Sequence, residues 1–360
     1  MGVIISDFSL TLTEGGVLAS TFTLLTIFIG MFLGNLMPRI GIKRLICAAM
    51  CLSAGGGLVA LISSQVGLLI LGRALEGLGL VIMMIAGPTA VSLFSSDASR
   101  AKHTGALAAF MPFGTAISFM LAPSIIPEYS WQGLWWFSVS FSLICLLATW
   151  LWIPNDLHGP VFKIEISTLK RTLRTTHLYW IGGAFAAHSL VFHVVLQFIP
   201  IYGTDGLGVS FSAVSLTVAG FCILNIFGNF ISGVAIHRGV EPYRLMSIQF
   251  YAVPLMALLV FAPNIPDSIR FSAILAGAFF TSLTPSAAFT LIARMASKKS
   301  DIPAFNGLML QVQGAGILFG PSVTGWAVEY FNSWMAAGII LTTASVLVII
   351  IANTKLKLIG

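Results

Sequence analysis

Arg73 and Glu76 stand three residues apart inside a stretch, 66–94, whose other residues are almost all apolar. That spacing puts both side chains on one face of a helix, within reach of each other. A charge at membrane depth costs about 2.5–3.5 kcal/mol even on a lenient scale, so ionisable residues in such a segment are as a rule paired or functional. Two readings fit this pair. It is a structural ion pair, with Arg73 free to snorkel outward from about two turns below the break at Ser63, Ser64 and Gln65. Alternatively, Arg73 is an anion site and Glu76, a carboxylate able to bind and release a proton, is a proton carrier.

Further polar residues lie in other apolar stretches. His193 and Gln197 share a helix face, whereas His188 and His193 are about 140° apart and cannot both face one cavity. Either histidine reads equally as bonded to a neighbouring helix or as a substrate or proton site. Asn225 and Asn229, one turn apart, are the kind of residue that holds helices together. Gln311, Gln313, Thr281, Ser282 and Thr284 complete the polar candidates. Trp131, Trp135 and Trp136 read as an interfacial aromatic anchor. Cys47, Cys51, Cys145 and Cys222 sit within apolar runs and read as small buried hydrophobes, with no nearby His or acid to complete a metal site.

The elements that carry these residues follow from composition. Of 360 residues, 57% are hydrophobic and 8% charged, against about 25% charged in soluble domains, so the chain is an integral membrane protein. Apolar runs of about 20 residues exceed the need of a barrel strand, so the spans are helices. Eleven are expected: 15–36, 45–63, 66–94, 102–125, 131–153, 178–202, 211–236, 245–262, 270–295, 304–330 and 334–353. The net charge of +6 gathers in alternate connections: Arg39, Lys43 and Arg44; Arg100 and Lys102; Lys163, Lys170, Arg171 and Arg174; Arg238 and Arg244; Arg294, Lys298 and Lys299; Lys355 and Lys357. The positive-inside rule makes those sides and the C-terminus cytoplasmic, with Met1 outside, and nothing in the pattern points to nucleic acid.

The longest polar connection divides the chain into an N-terminal half (1–153), a cytoplasmic linker (154–177) and a C-terminal half (178–360). An internal repeat supports the division. Gly34, Pro38 and Arg39 recur as Gly233, His237 and Arg238, an offset of 199; Arg73 and Pro88 recur as Arg270 and Pro285, an offset of 197. Ser118, Ala122 and Pro123 recur as Gly316, Gly320 and Pro321, an offset of 198. On that offset the first half lacks the partner of span 178–202, a helix that would end near residue 4. The expectation is a five-plus-six arrangement in which the first helix is missing, through either a late start codon or a true eleven-span chain.

The connection Gly34, Asn35, Leu36, Met37, Pro38, Arg39, Ile40, Gly41, Ile42, Lys43, Arg44 resembles the loop signature between the second and third helices of the major facilitator superfamily. Pro38 stands in that family's acidic position. Arg73, Glu76, Gly77 and Gly79 resemble its fourth-helix signature, with Glu in place of Gln; Gly114, Ser118, Ala122 and Pro123 resemble a degraded form of its fifth-helix pattern. The resemblance implies an all-α membrane bundle of two pseudo-symmetric halves rocking about a midplane site. It assigns Gly34, Arg39, Gly41, Lys43, Arg44, Gly233 and Arg238 to a conformational gate, and Pro123, Gly316, Gly320 and Pro321 to helix packing. His188, Ser189, Phe198 and Pro200 loosely resemble the cyanate and nitroimidazole permease branch.

The functional expectation is a secondary active transporter moving a small organic solute, with an anion among the candidates, coupled to protons, with Arg73, Glu76, His193, Gln197, His188, Asn225 and Gln311 along the substrate and proton pathway. Drug or metabolite efflux is the alternative within transport, and a non-transporting receptor or scaffold the alternative outside it. No catalytic triad, metal-binding motif or phosphate loop marks an enzyme, and no cofactor is expected. The partners implied are a small-molecule substrate, protons or another coupling ion, and the lipid bilayer.

Overall fold

The structure, a computed structural model, describes residues 1–25, 27–28, 40–94, 109–154, 166–296 and 302–358. Gly34, Pro38 and Arg39 of the loop motif, and Arg100, Lys102, Lys163, Lys298 and Lys299, lie outside the described residues.

A short helix α1 (Gly2–Asp7) turns into α2 (Leu12–Ser20). Thr11 starts α2 with a reciprocal cap: its hydroxyl accepts the Glu14 N–H at 3.1 Å, and Glu14 Oε2 accepts the Thr11 N–H at 2.9 Å. At the other end the Ser20, Thr21 and Thr23 hydroxyls donate back to carbonyls three or four residues earlier, and the chain tightens into a 3-10 turn over Thr21–Thr23. α3 (Ile42–Leu61) and α4 (Val66–Phe94) follow as an antiparallel pair.

α5 (Phe110–Trp152) has 43 residues, which laid straight would be about 64 Å, twice the hydrocarbon thickness. Ser130, at φ 50 and ψ −161, folds it into two arms, so the two spans expected at 102–125 and 131–153 meet at a single residue. Large apolar side chains on the second arm, among them Phe141, Ile144, Leu147 and Trp150, are exposed, as lipid-facing residues are. The expected linker contains a helix of its own, α6 (Ile166–Arg174).

The remaining chain forms α7 (Thr176–Ile201), ending in a π turn at Tyr202–Gly206, α8 (Phe211–His237), α9 (Pro242–Phe261), α10 (Asp267–Thr281), α11 (Leu283–Met295), α12 (Ile302–Phe331) and α13 (Met335–Thr354). Among the described residues, eight helical stretches are long and apolar enough to cross a membrane. The span expected at 270–295 is two helices parted at Ser282, and Pro285 supplies the reason. Without an N–H it cannot bond the Thr281 carbonyl, and its ring crowds that carbonyl.

The structure extends the repeat. Thr11 and Ser210 cap α2 and α8 with an offset of 199. Gly41 and Gly239, 198 residues apart, both adopt left-handed backbone, φ 88 and φ 90, just ahead of α3 and α9. Only glycine takes that conformation without strain. The repeat carries α2 onto α8 and the first arm of α5 onto α12, and the halves meet through α2 against α12 and α5 against α8. The two contacts therefore exchange under the pseudo-twofold.

Candidate functional site

A cavity of about 440 Å³ lies between the halves, walled by α1, α2 and its 3-10 turn, α4, both arms of α5, and α7. Arg73, His193 and Gln197 line it, together with Phe22, Thr115, Ser118, Phe119, Trp135 and Phe192.

Close backbone packing sets the position of Arg73. A Cβ on Gly56 would lie 2.6 Å from the Gly72 carbonyl oxygen and 2.8 Å from the Glu76 nitrogen, so α3 and α4 touch without intervening side chains. Gly77 presses the opposite side of α4 against the Phe22 backbone. The Phe22 ring is thereby set 5.1 Å from the Arg73 guanidinium carbon, with the Trp135 ring at 6.0 Å on the second arm of α5. Glu76 Oε2 accepts from Arg73 Nη1 in a partly buried ion pair. The site thus offers a guanidinium held between two aromatic faces and already occupied by a carboxylate.

α7 supplies the facing wall. His193 Nδ1–H donates to the Ser189 carbonyl at 2.8 Å, which leaves Nε2 as the acceptor nitrogen. Gln313 Nε2 on α12 donates to the Ser189 hydroxyl at 2.9 Å, tying this turn of α7 to its neighbour. Two polar atoms of the lining residues, Gln197 Oε1 and Trp135 Nε1, are buried without a hydrogen-bond partner among the described residues.

The other pathway candidates lie elsewhere. His188 Nδ1 accepts from Gln249 Nε2 at 3.1 Å. Gln249 Oε1 in turn accepts the Thr284 N–H at 3.1 Å, which fixes the amide orientation. Asn225 Nδ2 donates to the Ala278 carbonyl at 3.2 Å and Ser232 to that of Leu283 at 3.2 Å, so α8 grips both sides of the break between α10 and α11. Gln311 on α12 is not among the cavity residues. Arg270 is buried where α9 ends and α10 begins, and there it donates to the Tyr202 hydroxyl and to the Val260, Ala262 and Ile265 carbonyls.

Of the residues expected at a gate, Gly41 caps α3, Lys43 and Arg44 occupy its first turn, Gly233 faces open space near the end of α8, and Arg238 follows that end. Among the packing residues, Gly316 and Gly320 bring α12 against Ala186 and Leu190 of α7, the Pro321 backbone meets Gly16 of α2, and Pro123 lies within the first arm of α5.

The tryptophan cluster differs from the expected interfacial anchor. Trp136 is 54% exposed, but Trp131 is buried and donates Nε1–H to Asp7 Oδ2 at 2.9 Å, and Trp135 is in the cavity. Positions 131 and 135 share a helix face that 136 does not. Sequence reasoning also missed Gln249, although a lone Gln in an apolar span is itself a signal for interhelical bonding.

The all-helical architecture, with eight candidate spans among the described residues and helices paired across a central cavity, is that of a membrane carrier fold. The chain belongs to the Major Facilitator Superfamily, which it matches over residues 1–241 and 204–357. That is a family of transporters, not enzymes. The chain is 30% identical over 156 residues to the uncharacterized transporter YgaY of Escherichia coli O157:H7, covering 41% of this chain and 38% of that protein. It is 23% identical over 211 residues to the lincomycin resistance protein LmrB of Listeria innocua, covering 58% of this chain and 40% of that one. The matches therefore span about two fifths of these curated relatives. Among solved structures, a bacterial homologue of the human lysosomal transporter Spinster aligns with a TM-score of 0.82 at 15% identity, over 98% of this chain and 92% of that one. The E. coli fucose:proton symporter FucP aligns at 0.65 and 18% identity, over 98% and 93%.

Proposed function

We propose that the chain is a secondary active carrier that moves a small organic anion by alternating access, with Arg73 as the anion site and Glu76 as the proton carrier. The observation that carries the reading is that Arg73, which lines the central cavity, is ion-paired to Glu76, which lies behind it against Gly56 and Gly57 of α3 and is not among the lining residues. An anionic solute and the Glu76 carboxylate compete for one guanidinium. A proton on Glu76 weakens its hold and frees Arg73, so proton and anion bind together or not at all. His193 Nε2 and Gln197 face the solute from α7. The fucose:proton symporter among the similar folds is in keeping with proton coupling. The same reading keeps residues 1–153 and 178–360 as the two moving halves, 154–177 as a cytoplasmic linker, and the C-terminus inside with residue 1 outside. In it, the basic residues around Gly41 and Gly239 form the cytoplasmic gate.

The test is flux of labelled small organic anions into proteoliposomes under an imposed pH gradient. Accumulation by the native chain, lost in Glu76→Gln but with exchange retained, is expected. Gradient-driven accumulation that survives in Glu76→Gln removes Glu76 as the proton carrier, and unchanged solute affinity in Arg73→Ala removes the anion site.

A second reading, efflux of an amphipathic drug or metabolite, is favoured by the aromatic lining of Phe22, Phe119, Trp135 and Phe192. In that case Arg73→Ala leaves export of a neutral aromatic compound intact.

A further inference from the structure

We propose that Glu329 is a gate residue: its carboxylate latches the start of α2 to the end of α12, and the halves part at this contact when the cavity opens towards that rim. Glu329 reaches from one half to the other. Its Oε1 accepts the Leu12 N–H at 2.5 Å, and its Oε2 accepts the Thr13 hydroxyl. Leu12 is the first residue of α2, so its N–H has no acceptor within the helix, and the helix start carries partial positive charge that a carboxylate complements. The Thr11–Glu14 cap uses the N–H groups of those two residues and leaves that of Leu12 to Glu329.

The packing beneath the latch is smooth. A Cβ on Gly325 would stand 2.7 Å from the Leu12 carbonyl oxygen, and one on Gly16 would stand 2.9 Å from that of Pro321. Backbone meets backbone at these two glycines, and the carboxylate adds a polar contact that ties one helix to the other. Leu18, on the cavity wall, lies about 9 Å further along α2, so the same crossing closes the cavity towards this rim. Glu329 is exposed, and an exposed polar contact exchanges its partners for water at small cost, as a contact broken in every cycle must. At the repeat offset of 198 the counterpart of Glu329 is Trp131, which has no carboxylate, so among the described residues the latch belongs to one of the two interfaces only.

Thr115→Cys places a thiol in the cavity, and Ser333→Cys, in the turn after α12, reports which membrane face carries the rim. The experiment measures labelling of Thr115→Cys by a membrane-impermeant maleimide in whole cells and in inverted vesicles, with the four native cysteines as background. Glu329→Gln, which keeps size and removes charge, is expected to raise the labelling rate roughly tenfold from the face that labels Ser333→Cys, and not from the other. Thr13→Ala is expected to shift it the same way by a smaller factor. An unchanged rate from the rim face in both variants overturns the proposal, and so does an equal rise from both faces, which reports general loosening. The readout needs no solute and is independent of the role of Arg73.

Discussion

His188 and His193 lie five residues apart on α7, and their hydrogen bonds fix opposite tautomers. The Gln249 amide donates to His188 Nδ1, so His188 carries its proton on Nε2; His193 gives its Nδ1 proton to the Ser189 carbonyl, so its Nε2 is bare. One histidine locks helices together and the other faces the cavity.

Their alanine variants should therefore separate. His188→Ala strands the Gln249 amide and leaves a cavity in a buried place, and should cost about 2–4 kcal/mol, read as a lowered Tm in detergent. His193→Ala should leave Tm nearly unchanged and weaken solute binding in the proteoliposome assay.

The two repeat-related arginines should separate as well. Arg270 donates to four oxygens in a fixed fork that a lysine cannot reproduce, so Arg270→Lys should destabilise by about 2–4 kcal/mol. Arg73→Lys keeps the Glu76 partner and should fold normally, with its effect on solute affinity. Thermal unfolding and flux measured on the same preparations check both.

Two glycines of α8 make a steric control. A Cβ on Gly228 would collide with the Ser282 hydroxyl and lie 2.8 Å from the Phe279 carbonyl, whereas Gly233 has open space around it. Gly228→Ala should cost about 1–3 kcal/mol by forcing α8 off the helix break, and Gly233→Ala should be neutral or mildly stabilising. Yield of monodisperse protein and Tm distinguish them.

Trp131→Phe deletes the donor to Asp7 and should cost about 1–2 kcal/mol. Trp135→Phe deletes a buried donor that has no partner among the described residues and keeps an aromatic face towards Arg73, so stability should hold or rise. A lower Tm for Trp135→Phe than for Trp131→Phe would contradict the assignment.

Much of this fold was legible because bilayer thickness imposes apolar length, and length is visible in a sequence. Residues 66–94 read as one helix and are one. What composition cannot reveal is which face of an apolar helix meets protein and which meets lipid. Trp135 and Trp136 are chemically alike neighbours, and only packing sends one to the cavity and the other outward. The division at Ser282 was legible in principle from Pro285, but a hydropathy average passes over one missing N–H. The charged pair was visible at once, since Arg73 and Glu76 break an apolar run. Phe22 was not, because its role depends on Gly77 letting two backbones touch.

The fold at Ser130 has a mechanical consequence. The first arm of α5 lies in the contact with α8 across the halves, while the second arm carries Trp135 against Arg73 and packs Val139 on Gly57 of α3. A flexible loop between the arms would absorb displacement of one before it reached the other. A single-residue turn leaves little slack, so a displacement of the first arm at the seam between the halves should reach Trp135 at the wall of the cavity rather than be absorbed on the way.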